Sequence, residues 1–201
     1  MAGITHGNIL AVFFSASEAE IEEGRDWYAR ANLVARRLSN RYDLAGPHVA
    51  AGIIAALSPN NRWHRNVADA EALIRTYCAG DECDAIKVST YSKNKEKAIR
   101  ILDGESPESV LGGLKVRAFY SCIIGGDDVC VDGHAFSIWS GERVSTTKTP
   151  KISPRLYDSI SKDYRRAAEV INEVTGACYT AAQVQAITWV VWRNQFGGRR
   201  K

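Results

Sequence analysis

Cysteine is sparse in this chain and has no pattern that would give it work. The five thiols, Cys78, Cys83, Cys122, Cys130 and Cys178, are odd in number and none stands in a C-x-x-C spacing, which zinc and redox centres favour. Neither disulfides nor zinc are expected, and no cofactor; a reduced thiol in or beside an apolar run packs as a small hydrophobe. Long apolar runs are missing too. No stretch approaches the roughly 20 residues that cross a bilayer, and no basic segment followed by an apolar core opens the N-terminus. A soluble, cytoplasmic protein without a membrane partner is the expectation. The G-x-x-x-x-G-K-[ST] loop of nucleotide-driven phosphoryl transfer is absent, as are internal repeats, linkers and low-complexity segments. Charge of either sign is nearly balanced: a net +3 is too small by itself to argue for nucleic acid, which needs a concentrated patch.

What is present is helical periodicity. With 201 residues of which 45% are apolar, the chain can bury one good core, and a single all-α domain over 1–201, with room for two helical lobes around a cleft, is predicted. A short apolar segment, Ile9 to Phe14, comes first. Ile21, Tyr28, Ala31, Val34 and Leu38 recur at helical spacing and predict one long amphipathic helix from Glu18 to about Asn40. Gly46-Pro47 breaks the chain, and Pro47 suits the first position of a helix, 47–57, whose small and aliphatic residues face nearly every direction, as in a buried central helix. A polar loop, Asn60-Asn61-Arg62-Trp63-His64-Arg65-Asn66, follows before the helical pattern resumes at Val67. Three amides, an indole and an imidazole at the end of a buried helix are the ingredients for reading a base edge and stacking on its face; the plainer reading is an Asx-capped turn with Trp63 as a packing anchor. Residues 79–90 read as loop, 91–102 as a basic amphipathic helix. Helices are also predicted from Ser153 to Gly176 and over 181–196, and a surface loop over 143–152. Basic residues gather at Arg62 to Arg65, Lys87 to Arg100, Lys115 and Arg117, Lys148, Lys151 and Arg155, and the tail Arg199-Arg200-Lys201; most such clusters are solvated helix faces.

The most informative stretch is Leu111 to His134. Ser106-Pro107-Glu108 is a helix start by cap and first-turn chemistry, so a short helix, 107–111, turns at Gly112-Gly113 into a second, 114–124, with Leu114, Ala118 and Ser121/Cys122 facing inward and Lys115 and Arg117 in its opening turn. Two glycines permit positive φ and close approach, and the following helix start offers N–H groups to a phosphate. A strand-like apolar step, Val129-Cys130-Val131, then delivers Asp132 to another helix reaching Gly141. An Asp at that place is an ordinary N-cap worth about 1 kcal/mol.

Leu111, Gly113, Lys115 and Val116, followed by Val131-Asp132-Gly133-His134, resemble the helix-hairpin-helix DNA glycosylase superfamily, in which a hairpin of the type L-x-G-x-x-K-[TV]-A precedes V-D-x-H by about twenty residues. The hairpin is shorter than the fuller L-P-G-V-G pattern. The resemblance implies a monomeric DNA-binding enzyme that extracts a base from the stack, because the sugar–base bond is unreachable in a duplex. Gly112, Gly113, Arg117 and His134 would hold phosphate; Asn60, Asn61, Trp63, His64 and Asn66 would line the base pocket. Asp132 would face the sugar, where a carboxylate about 4 Å from an oxocarbenium is worth on the order of 4 kcal/mol, roughly a thousandfold in rate. In such enzymes a lysine at the place of Lys115 attacks the sugar as an amine and cleaves the strand; otherwise it contacts phosphate. The iron–sulfur cluster of some members needs four closely spaced cysteines near the C-terminus, and only Cys178 lies there. A-A-L-S-P-N-N-x-W with L-K-V-R-A-F-Y resembles small phage-encoded relatives thought to build hypermodified thymines, displacing pyrophosphate from an activated 5-hydroxymethyl group so that an amine is attached. A hairpin protein that binds DNA without chemistry is the remaining reading.

Overall fold

The computed structural model describes residues 5–144 and 149–196. Lys148 and the basic tail Arg199-Arg200-Lys201 lie outside the described residues. The protein is all-helical among them: α1 (Thr5–Phe14), α2 (Glu18–Arg25), α3 (Trp27–Arg41), α4 (Pro47–Leu57), α5 (Trp63–Cys78), α6 (Ser92–Leu102), α7 (Pro107–Val110), α8 (Leu114–Ile123), α9 (Gly133–Ser140), α10 (Pro154–Thr175) and α11 (Ala181–Phe196), with one 3₁₀ turn at Cys83–Ala85. No helix among the described residues is long and apolar enough to cross a membrane. The chain divides into two compact units, one formed by residues up to Tyr28 together with those from Asp127 onward, the other by Ala29–Gly126.

The first unit packs α1, α2, α9 and α10 with α11. Ile9 and Phe13 of α1, the apolar segment whose partner the sequence did not reveal, enter a core with Val129, Val131, Ile138, Ile160, Tyr164, Ile171, Val184 and Ile187. The N-terminal Ser153 cap of α10 accepts from Leu156 N–H, and Gly176 ends the helix in the left-handed conformation at φ 68°, as the sequence predicted. The helix expected from Glu18 to Asn40 is instead two. Asp26 leaves helical geometry at φ −94°, ψ 0°, and the reason is tertiary: α2 lies against α11 so closely that a Cβ on Gly24 would sit 2.4 Å from the Ile187 Cα. The residues before the break follow α11, and α3 sets off anew.

The second unit is built around α4. Pro47 occupies its first turn and every residue from Ala50 to Leu57 is buried, so α5, α6, α7 and α8 pack on it. Pro107 seats α7 against Gly52, where a Cβ would come within 2.7 Å of the proline Cγ. Lys95 Nζ donates to the carbonyls of Cys83, Asp84 and Ile86 at 3.0–3.3 Å, which turns the 3₁₀ segment back onto α6. The helix expected from Val67 begins earlier, at Trp63, with Arg62 as its N-cap and Asn66 N–H bonded to the Arg62 carbonyl at 2.8 Å. One inward assignment on α8 is also corrected. Ala118, Tyr120, Cys122 and Ile123 are buried, whereas Leu114, the first residue after the positive-φ turn at Gly113, faces outward at 45% exposed.

Gly24→Ala should be severely destabilising, because the clash is with backbone that cannot swing aside; overpacking of this kind costs about 1–3 kcal/mol. Thermal unfolding should show Tm lowered by roughly 2–10 °C for a chain of this length, with the helical signal at low temperature retained.

Candidate functional site

The hairpin lies wholly in the second unit. Ser106 caps α7, accepting from Ser109 N–H at 3.3 Å, and Pro107 opens it. Leu111 is extended and buried; Gly112 and Gly113 are exposed, and Gly113 has φ +80° with open space around it. The glycine is required by the backbone conformation rather than by crowding. It is the N-cap of α8 and so supplies no side-chain cap to the first-turn N–H groups. Lys115 is exposed in that turn. Arg117 turns back, its Nε donating to the Leu111 carbonyl at 2.8 Å, so part of this guanidinium holds the turn. Across the hairpin, the Tyr120 hydroxyl donates to Glu108 Oε1 at 2.8 Å. The Glu108 carboxyl is held below its ordinary value by its own backbone N–H, with the Tyr120 bond next and the His48 charge also contributing. Tyr120 is pushed up, first by burial and then by that bond to Glu108.

The amide-rich segment is split by the early start of α5. Only Asn60, Asn61 and Arg62 form loop; Trp63, His64 and Asn66 stand on the first turn of a helix, because Asn66 is anchored from α4. Its Nδ2 donates to the Ile54 carbonyl at 3.0 Å, and Asn61 Nδ2 donates to Leu57 O (3.4 Å) and Asp69 Oδ2 (2.9 Å). With their donors spent on carbonyls one helical turn apart, both amides are left with a buried Oδ1 that accepts no hydrogen bond among the described residues. Buried acceptors of that kind are uncommon. Asn60 adopts φ +59°, which asparagine tolerates, and its Nδ2 donates to the Tyr91 hydroxyl at 2.9 Å. Thr90 Oγ1 reaches the Pro59 carbonyl (2.8 Å) and Ser89 N–H reaches Asp69 (2.8 Å). The loop after α4 and the start of α6 are therefore one hydrogen-bonded surface. His64 is exposed and Trp63 half-buried on it.

Asp132 belongs to the first unit. The step that delivers it is neither helix nor strand, and Val129, Cys130 and Val131 are all buried. One hydroxyl holds the step in place: Tyr157 of α10 donates to the Val129 carbonyl at 2.7 Å and accepts from Val131 N–H at 3.2 Å. Asp132 is the N-cap of α9, its Oδ1 accepting from Ala135 N–H at 2.8 Å. It is half-buried and near enough to the fully buried Tyr164 for its charge to act there. Burial pushes the Tyr164 hydroxyl up, the bond with Thr188 opposes this, and the Asp132 charge adds to the rise. His134 packs edge-on to Trp189 at 6.4 Å, and Trp189 meets Trp27 at 6.1 Å and carries the Arg193 guanidinium 4.7 Å over its ring.

The sequence-predicted residues thus fall into three groups. Gly112, Gly113, Lys115 and Arg117 share the hairpin; Asn60, Asn61, Trp63, His64 and Asn66 share the end of α4 and start of α5; Asp132 and His134 share the start of α9. Tyr157, Tyr164 and Trp189 were missed as companions of these groups. Periodicity marks Tyr164 only as a core position, and nothing local in the sequence marks the other two.

A family model described as a family of unknown function (DUF7178) matches residues 4–196, and the chain belongs to that family. Neither a curated protein nor a solved structure matches it.

Replacing Asp132 separates its two possible duties. Asp132→Ala should cost about 1 kcal/mol through loss of the cap, whereas Asp132→Asn, an equally good capping residue, should unfold close to the wild type in a denaturant titration. The Glu108–Tyr120 contact should give a pH-dependent hairpin. A lowered carboxyl contributes stability above its ordinary 4.5 that is lost as pH falls through the lowered value, and a raised phenol contributes below 10 and is lost above it. Denaturant midpoints should be level from about pH 5 to 9 as far as this pair is concerned; Tyr120→Phe should lower that plateau and shrink the loss on its acid side.

Proposed function

We propose that this chain is a DNA glycosylase-like enzyme of helix-hairpin-helix type that acts on a flipped, modified base in DNA. The observation that carries the reading is the ordered pair of a glycine-capped helix start bearing Lys115 and a buried step that ends on Asp132. In this reading the N–H groups of Gly113 to Lys115 grip a backbone phosphate, with Lys115 and Arg117 adding charge. The base leaves the stack and is read by the amides after α4; the two buried Oδ1 acceptors of Asn61 and Asn66 support a pocket that takes hydrogen-bond donors. One Asp132 oxygen is committed to Ala135, which fixes the carboxylate's orientation, and its charge stabilises the oxocarbenium as the N-glycosidic bond breaks. The electron pair of that bond leaves with the base, and the sugar carbon is captured by water, or by the Lys115 amine as a Schiff base that leads to strand cleavage. No cofactor is needed, and the setting is the cytoplasm, that of a host if the chain is phage-encoded.

The test is incubation with labelled duplexes carrying uracil, 5-hydroxymethyluracil or oxidised guanine, with and without borohydride, each strand followed by intact mass. Loss of a base in the wild type and at least a hundredfold slower loss in Asp132→Asn are expected. A borohydride-trapped adduct that vanishes in Lys115→Ala would assign the amine as nucleophile; base loss without trapping makes Lys115 a phosphate contact. Strands that all keep their mass would overturn excision of these bases. A mass change on DNA bearing a pyrophosphorylated 5-hydroxymethyluracil, supplied with an amine, would then identify base modification instead.

A further inference from the structure

We infer that the outer edge of α6, from Tyr91 to Lys97, is a track for one strand of DNA that continues from the hairpin, with Lys97 and Lys93 contacting phosphates and Tyr91 stacking an unpaired base. The inference rests on the DNA-binding reading above and adds residues which that reading does not use. Four cations lie on α6, and two are committed within the protein: Lys95 to the three carbonyls of the 3₁₀ segment and Arg100 to Glu105. Lys93 and Lys97, four residues apart and so on one face of the helix, form the other pair. Lys97 Nζ lies over the hairpin, 3.4 Å from where a Gly112 Cβ would be. A phosphate held at the hairpin would therefore have this ammonium beside it.

Lys93 follows one turn away, about 6 Å along the helix axis, and its Nζ lies 5.8 Å from the centre of the Tyr91 ring. Tyr91 is 56% exposed, which leaves its ring open to a stacking partner. It is also held rigid. Its hydroxyl accepts from Asn60 Nδ2 and its carbonyl accepts from Asn94 N–H at 2.8 Å, while Thr90 beside it is tied to Pro59. An aromatic face fixed at both ends, with cations along its flank, is the arrangement by which single strands are bound without sequence readout. Hairpin, Lys97, Lys93 and Tyr91 all lie in the second unit, so the order along the track is fixed within that unit.

Binding of a short labelled single strand and of its blunt duplex, followed by fluorescence anisotropy over a range of salt, tests this. The double variant Lys93→Gln/Lys97→Gln should reduce the slope of log affinity against log salt by about 1.4 on the single strand, for two phosphate contacts at about 0.7 each. Tyr91→Ala should weaken single-strand binding on the order of tenfold with the slope unchanged, and Tyr91→Phe should bind as the wild type does. All three alter exposed or half-buried side chains and should melt near the wild type. A hairpin variant, Lys115→Gln, separates this inference from its premise. If it lowers affinity and salt slope while the α6 variants leave both unchanged, the track is overturned and the hairpin stands. If the wild type binds neither DNA, both fall. If Tyr91→Phe loses as much as Tyr91→Ala, stacking is overturned and the ring's role is its bond to Asn60.

Discussion

The burial of α4 on every side is the constraint from which the second unit follows. A helix whose residues 50–57 are all buried cannot give its last carbonyls to water, so they must find donors in the protein. Ile54 and Leu57 find them in the amides of Asn66 and Asn61. That requirement begins α5 four residues earlier than apolar periodicity suggests, and it fixes the orientation of both amides with their oxygens turned away from the helix. The same burial brings Pro107 onto Gly52, which places the hairpin. Two features that look independent in the sequence, a polar cluster and a glycine turn, are both fastened to one apolar helix.

Much of this was legible where the signal is local. Start chemistry at Ser106-Pro107 and at Pro47, and glycine at the end of α10, read correctly, because caps are set by a few adjacent residues. The extent of α4 was legible from the Gly46-Pro47 break and its run of small and aliphatic residues. What failed was set by distant chain: the break at Asp26 follows from the fit of Gly24 on Ile187. The candidate residues were chosen by type and spacing. Their companions Tyr157 and Trp189 are brought beside them by contacts across 28 and 55 positions, which no local pattern encodes.

The electrostatics of the two units differ in kind. Around the hairpin the charged groups, Glu108, His48 and Lys115, are exposed, so salt and pH act on them directly. Around Asp132 the neighbours are a buried phenol and aromatic rings, where a single charge acts over a longer range because little solvent intervenes. A change of conditions would therefore modulate the hairpin well before it altered the carboxylate's surroundings.

Tyr157 has a wider meaning for how this family can vary. One hydroxyl, on a helix 22 residues long, bonds both the carbonyl two places before the buried step's end and the amide at that end, so the approach to Asp132 is measured from α10. The position of the carboxylate is thus inherited from the longest described helix of its own unit. Drift in the length or composition of the residues between α8 and the step can accumulate without displacing Asp132, provided that this one phenol is kept.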